Sequence, residues 1–147
     1  MKYLVMQGPN LNRLGKRDPQ RYGHHTLADI EADVDAAAKE LGVTVEHFQS
    51  NHEGFLVDWL HERQDDLDGG VVVNPAALCL YGWSLRKALC DTGLPVAVVH
   101  ISQLHAYEPV PKLDIFADMA AVYVAGAGWQ GYRFALQALH AKQEAVR

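Results

Sequence analysis

Two cysteines in 147 residues, Cys79 and Cys90, are too few for a disulfide framework and lack the Cys-x-x-Cys spacing of a zinc or redox site. Both stand in apolar stretches, which predicts buried thiols in a reducing compartment, the cytoplasm. No apolar run approaches the roughly 20 residues that a membrane-spanning helix needs. The opening Met1-Lys2-Tyr3-Leu4-Val5-Met6 meets Gln7-Gly8-Pro9 too soon for a signal peptide. Basic residues are also scarce. Thirteen Lys and Arg against 18 Asp and Glu leave a formal charge of −5 with no basic run, so nucleic acid and anionic membrane surfaces are disfavoured as partners. With 12 glycines and 6 prolines, the chain is neither collagen-like nor a disordered linker, and 49% hydrophobic against 21% charged residues is ordinary for a folded protein. The length suits one hydrophobic core, a single domain over residues 1–147.

The order of patterns along the chain then predicts an architecture. Residues 2–6 form a short apolar strand that stops at Gly8-Pro9-Asn10. Residues 10–25 show no sustained periodicity, and a loop of that length inside a compact domain is expected to be a lid or binding loop. Thr26 with Asp29 reads as a capping box for a helix with apolar positions at Leu27, Ile30, Val34, Ala37, Ala38 and Leu41, ended by Gly42. Residues 43–48 alternate as a strand, and Phe55, Leu56, Trp59 and Leu60 give a second helical stripe. Val71-Val72-Val73 is apolar on both faces, the pattern of a central parallel strand covered on each side. Further strands are expected over residues 95–100 and 119–125, with helices over 84–90 and 131–144. Strands separated by helices imply a doubly wound α/β sandwich, with ligands beyond the carboxyl ends of its strands. The segments at those ends are residues 8–25, 74–82 and 100–112.

Those segments contain Asn10, Asn12, Arg17, Tyr22, Asn74, His100, Ser102 and His105, a set of proton-transfer groups and neutral donors. Arg17 and Tyr22 share one loop, and a nearby guanidinium favours a phenolate, the form of tyrosine that acts as a base. The chain also carries Gly8-Pro9-Asn10-Leu11-Asn12, Arg17-Asp18-Pro19, Tyr22-Gly23, Phe48-Gln49-Ser50-Asn51-His52-Glu53-Gly54, Asn74-Pro75, Val99-His100-Ile101-Ser102 and Gly128-Trp129-Gln130-Gly131-Tyr132. Together these resemble type II 3-dehydroquinate dehydratase over nearly the whole chain. The resemblance implies a flavodoxin-like fold, a five-stranded parallel sheet with helices on both faces. It also implies a cytoplasmic homo-oligomer, a dodecamer built from trimers, with no metal or organic cofactor. The reaction implied is anti elimination of water from 3-dehydroquinate through an enolate. By the same resemblance Tyr22 matches the base, Arg17 the lid arginine beside it, Asn10 the residue that orients an enolate-stabilising water, and His100 the general acid. Asn74 and the amides of Ile101 and Ser102 match the groups that hold substrate hydroxyl and carboxylate.

The chain departs from that pattern in a cluster. Residues 74–83 replace the family's Asn-Pro-Gly-Ala-Tyr-Thr-His-Thr-Ser-Val, so that Leu80 stands where the family has a substrate-binding histidine. Val98 replaces the glutamate that orients the general acid, Pro111 and Tyr107 replace arginines, and Lys87 replaces an aspartate after the retained Arg86. Lys112 supplies a candidate replacement cation. Groups that make the enolate are kept, whereas groups that read ring hydroxyls are lost. Leaving substrate hydroxyls unpaired costs discrimination, so the expected substrate is less hydroxylated than 3-dehydroquinate, with 3-dehydroquinate as the alternative. Two other readings are a non-catalytic ligand-binding homologue and a flavin- or nucleotide-binding protein. Against the latter, Gly126-Ala127-Gly128-Trp129-Gln130-Gly131 falls at the last strand, and the loop after the first strand carries no phosphate-cradling Gly-rich run.

Overall fold

The computed structural model describes residues 1–106 and 114–147. Five strands, β1 (Lys2–Gln7), β2 (Thr44–Gln49), β3 (Gly70–Asn74), β4 (Val96–His100) and β5 (Val122–Ala125), form one parallel sheet in the order β2-β1-β3-β4-β5. This is the doubly wound, flavodoxin-like order, whose strand sequence reverses between β1 and β3. The helices are α1 (Pro19–Tyr22), α2 (Leu27–Leu41), α3 (Glu53–Arg63), α4 (Trp83–Asp91) and α5 (Gly131–Ala145).

Strand alternation divides the core in two. Leu4, Met6, Val71, Val73, Val96 and Val98 face one way and pack with Leu56, Leu60, Leu85 and Leu89 of α3 and α4. Their neighbours Tyr3, Val5, Val72, Ala97 and Val99 face the other way, onto Ile30 and Val34 of α2 and Tyr132, Leu136 and Leu139 of α5. Both faces of β1, β3 and β4 are apolar because helices cover both, which is the physical content of the Val71-Val72-Val73 signal. Each buried Val or Leu contributes on the order of 1.5–3 kcal/mol of transfer free energy.

Several expectations are refined. The Thr26–Asp29 capping box forms in both directions, and Gly42 takes the left-handed conformation that ends α2. The loop over residues 10–25 is less irregular than its sequence suggests. Asp18 accepts a hydrogen bond from the Gln20 amide at 3.0 Å, Pro19 opens the first turn, and the short α1 places Tyr22. Phe55 was expected in the α3 stripe but is exposed, because its position turns away from the sheet. Cys79 is buried as expected, whereas Cys90, near the end of α4, is exposed, since the buried stripe of that helix runs through Leu85, Ala88 and Leu89. Among its described residues the β4 to β5 connection contains the 3-10 turn Leu104–Ala106 and no α-helix. Among the described residues, no helix is long and apolar enough to cross a membrane.

Candidate active site

The carboxyl ends of β1, β3 and β4 lie side by side, and the segments that leave them build one cavity of about 240 Å³. Gly8, just past β1, approaches the segment after β3 so closely that an added Cβ would lie 2.4 Å from the Pro75 carbonyl oxygen, so no larger residue fits. Its amide donates to the Asn74 carbonyl at 2.8 Å, tying the two strand ends together. Asn10 follows with φ of 68°, a left-handed conformation that asparagine tolerates. The Asn51 side chain accepts from the Asn10 amide at 2.9 Å and from Gln49 at 3.1 Å, so the end of β2 holds this turn.

Into this cavity the structure brings Asn10, Arg17, Tyr22, Asn74, Leu80, His100, Ile101 and Ser102, all named from the sequence. Asn12 and His105 do not line it. Lys112, Tyr107 and Pro111 lie outside the described residues. On one wall the Arg17 guanidinium donates to the Tyr22 hydroxyl oxygen at 3.0 Å and sits 3.9 Å from the ring centre. A guanidinium both on the oxygen and over the ring matches the charge of a phenolate and holds the ring's position.

The floor is a buried chain of polar groups. The Asn74 amide donates to the Tyr132 hydroxyl at 2.7 Å, and that hydroxyl donates to the Gln7 side-chain carbonyl at 2.7 Å. Burial pushes the Tyr132 hydroxyl well above its ordinary range, so it stays neutral and can donate. The Asn74 Oδ1 accepts from the Ala76 amide at 3.0 Å. Ala76 has φ of 51° where the resemblance places glycine, a strained conformation beside the cavity.

His100, at the end of β4 and only 5% exposed, also lines the cavity. Its Nε2 lies 2.6 Å from an oxygen of Asp114, a residue that the sequence reading did not single out. The available signal was a carboxylate flanked by Leu113 and Ile115-Phe116, since an acid in an apolar run is buried only with partners. Burial pushes the Asp114 carboxyl up, but donors from His100, the Phe116 amide and the Tyr123 hydroxyl outweigh it and hold the group below its ordinary range. Tyr123 is pushed the other way, first by burial and then by its bond to that carboxylate. Arg21 and Cys79 also line the cavity, and neither is among the site residues expected from the sequence. Leu80 is 40% exposed and presents an apolar edge there.

Comparison with known proteins completes the picture. The family model for dehydroquinase class II matches residues 1–140. The chain belongs to this family. It is 49% identical over 139 residues to the 3-dehydroquinate dehydratase of a Chelativorans species, covering 94% of this chain and 95% of that protein. It is 40% identical to the 3-dehydroquinate dehydratase of Bacillus subtilis over 96% of this chain and 95% of that one. The crystal structure of the type II dehydroquinase from Propionibacterium acnes superposes with a TM-score of 0.88 at 37% identity, covering 95% of this chain and 96% of that one. Within the class II dehydroquinase frame two positions already noted from the sequence are occupied inside the chain itself. Arg86 donates to the Ile115 carbonyl at 2.7 Å and to both oxygens of Asp118, and Lys87 pairs with Asp91 one turn along α4.

Proposed function

We propose that the chain is a hydro-lyase that removes water from a small cyclic hydroxy-ketone bearing a carboxylate, with Tyr22 as base and His100 as acid. Supporting this is one arrangement: the Arg17–Tyr22 pair and His100, itself bonded to Asp114, line the same cavity from different elements. A base and an acid carried by separate elements suit an anti elimination, in which the proton and the leaving group depart from opposite faces. Tyr22, as phenolate, takes the proton next to the ketone, and the electron pair moves into the enolate. Asn10 supports the enolate oxygen through an oriented water, as in other neutral-donor oxyanion sites. The enolate then collapses to the conjugated enone as His100 protonates the β-hydroxyl, which leaves as water. Asn74 and the amides of Ile101 and Ser102 hold substrate hydroxyl and carboxylate.

Leu80 sets the substrate preference. A leucine on the cavity edge offers no partner to a ring hydroxyl, and an unpaired hydroxyl costs about 1–3 kcal/mol. The preferred substrate therefore lacks a ring hydroxyl at that end. The second reading is 3-dehydroquinate itself, favoured by relatives that are 3-dehydroquinate dehydratases and by Asp114, which gives His100 a carboxylate despite Val98. Assembly as a trimer-built dodecamer belongs to the same proposal and rests on the resemblance.

The test follows the conjugated-enone absorbance with 3-dehydroquinate and with an analogue lacking one ring hydroxyl other than the one eliminated. The analogue is expected to show the higher kcat/KM by roughly tenfold or more, and Leu80→His is expected to raise kcat/KM for 3-dehydroquinate by a similar factor. Equal or better turnover of 3-dehydroquinate, with no gain from Leu80→His, establishes the second reading instead. No enone from either compound overturns the hydro-lyase assignment.

A further inference from the structure

Val98 stands where the family resemblance places the glutamate that orients the general acid. It is fully buried among apolar side chains on the α3 and α4 face of the sheet, so position 98 offers His100 no polar partner. His100 has a carboxylate nonetheless. Asp114 reaches it from the segment before β5, fourteen residues further along the chain, with Oδ2 at 2.6 Å from Nε2.

The carboxylate is held from all sides. Its Oδ1 accepts from the Phe116 amide at 2.8 Å, and its Oδ2 also accepts from the Tyr123 hydroxyl at 2.8 Å. The backbone that carries it is anchored as well. The Ile115 amide donates to the Cys79 carbonyl at 2.9 Å, and Arg86 grips the Ile115 carbonyl and Asp118. The Tyr123 ring packs beside His100 with centres 5.8 Å apart. An ionised carboxylate only accepts, so the atom of His100 that meets it must carry a proton.

We propose that Asp114 is the positioning residue of His100, its carboxylate braced by Tyr123 and the Phe116 amide so that Nε2 keeps its proton throughout and Nδ1, on the cavity side, is the nitrogen that takes up a second proton and delivers it to the departing hydroxyl. The task that a glutamate on β4 performs in the family has moved to a different element, and Val98 has joined the apolar core. Catalytic use of this arrangement rests on the dehydratase reading above; the fixed tautomer does not.

The experiment records ring nitrogen shifts and couplings of the histidines in uniformly ¹⁵N-labelled, ligand-free protein in mildly alkaline buffer, with His100 assigned by loss of its signals in His100→Gln. The parent is expected to hold His100 as the Nε2–H tautomer alone. In Asp114→Asn the amide oxygen keeps accepting from Phe116, so the amide nitrogen faces the ring as a donor and the tautomer moves to Nδ1–H. A ring held as neutral Nδ1–H can give up that proton only by becoming an imidazolate, so turnover then falls by about 10²–10⁴ while KM changes little. Tyr123→Phe leaves the tautomer as it is. A parent ring that averages both tautomers or holds Nδ1–H overturns the proposal, as does an Asp114→Asn protein with the parent's tautomer. If Asp114→Asn does not fold, the parent spectrum decides alone. The spectra need no turnover, so a parent that makes no enone overturns the functional reading, whereas a tautomer result overturns this one.

Discussion

Arg17 and Tyr22 lie five residues apart on one partly exposed loop, and their contact needs little beyond the turn between them. His100 and Asp114 lie fourteen residues apart on separate elements, both about 5% exposed, and meet only because β4 and the segment before β5 are folded against α4. Both pairs do the same kind of work, placing a charge against a proton-transfer group. The difference lies in what a substitution disturbs. The loop pair sits on the surface of a finished fold, so its loss leaves the packing intact. The buried pair is part of the packing, and removing one partner strands the other away from water.

That contrast is sharpest at Tyr22. Tyr22→Phe keeps the ring against Arg17 and deletes the oxygen, and turnover is expected to fall by at least about 10²–10⁴ while the melting temperature stays within a degree or two. A large fall in Tm alongside the lost turnover breaks the comparison, because Tyr22 then supports the fold. The next effect is expected on the cavity floor. Tyr132→Phe leaves the buried Asn74 amide without its acceptor and Gln7 without its donor, each worth about 1–3 kcal/mol. Chemical denaturation should show a loss of roughly 2–3 kcal/mol, and KM should rise as Asn74 loses its fixed orientation. The smallest effect belongs to the loop again. Asp18→Ala removes the cap on the turn that carries Tyr22, at about 1 kcal/mol of local helix stability. Global stability should be nearly unchanged while kcat falls a few-fold. An equal loss of Tm in Asp18→Ala and Tyr132→Phe erases the distinction between the two regions.

Local signals in the sequence were read correctly where the physics is local. The Thr26–Asp29 box, the glycine that ends α2 and the doubly apolar Val71-Val72-Val73 each depend on neighbours within a few residues or on which faces are covered. Tyr22 and Arg17 were legible for the same reason, as was Asn10, whose turn follows the end of β1. Phe55 and Cys90 were misread because an apolar residue on a helix is buried only if its own angle faces the sheet. Asp114 was not legible as a site residue. Nothing within its own segment connects it to His100, and the expected carboxylate at position 98 is a valine.

Composition and pattern by themselves thus determined a parallel α/β fold, the strand ends that build the cavity, and a Tyr–Arg pair on the loop after β1. Those properties follow from hydrophobic periodicity, turn chemistry and short sequence separations, all of which act before the chain is compact. Only the tertiary structure decided which carboxylate serves His100, that Asn74 is held by Tyr132 and Gln7, and that Leu80 borders the same cavity as Tyr22. Such contacts join residues far apart in the chain. They exist because the packing of helices on both faces of the sheet removes those groups from water and leaves each polar atom only the partner that the fold supplies.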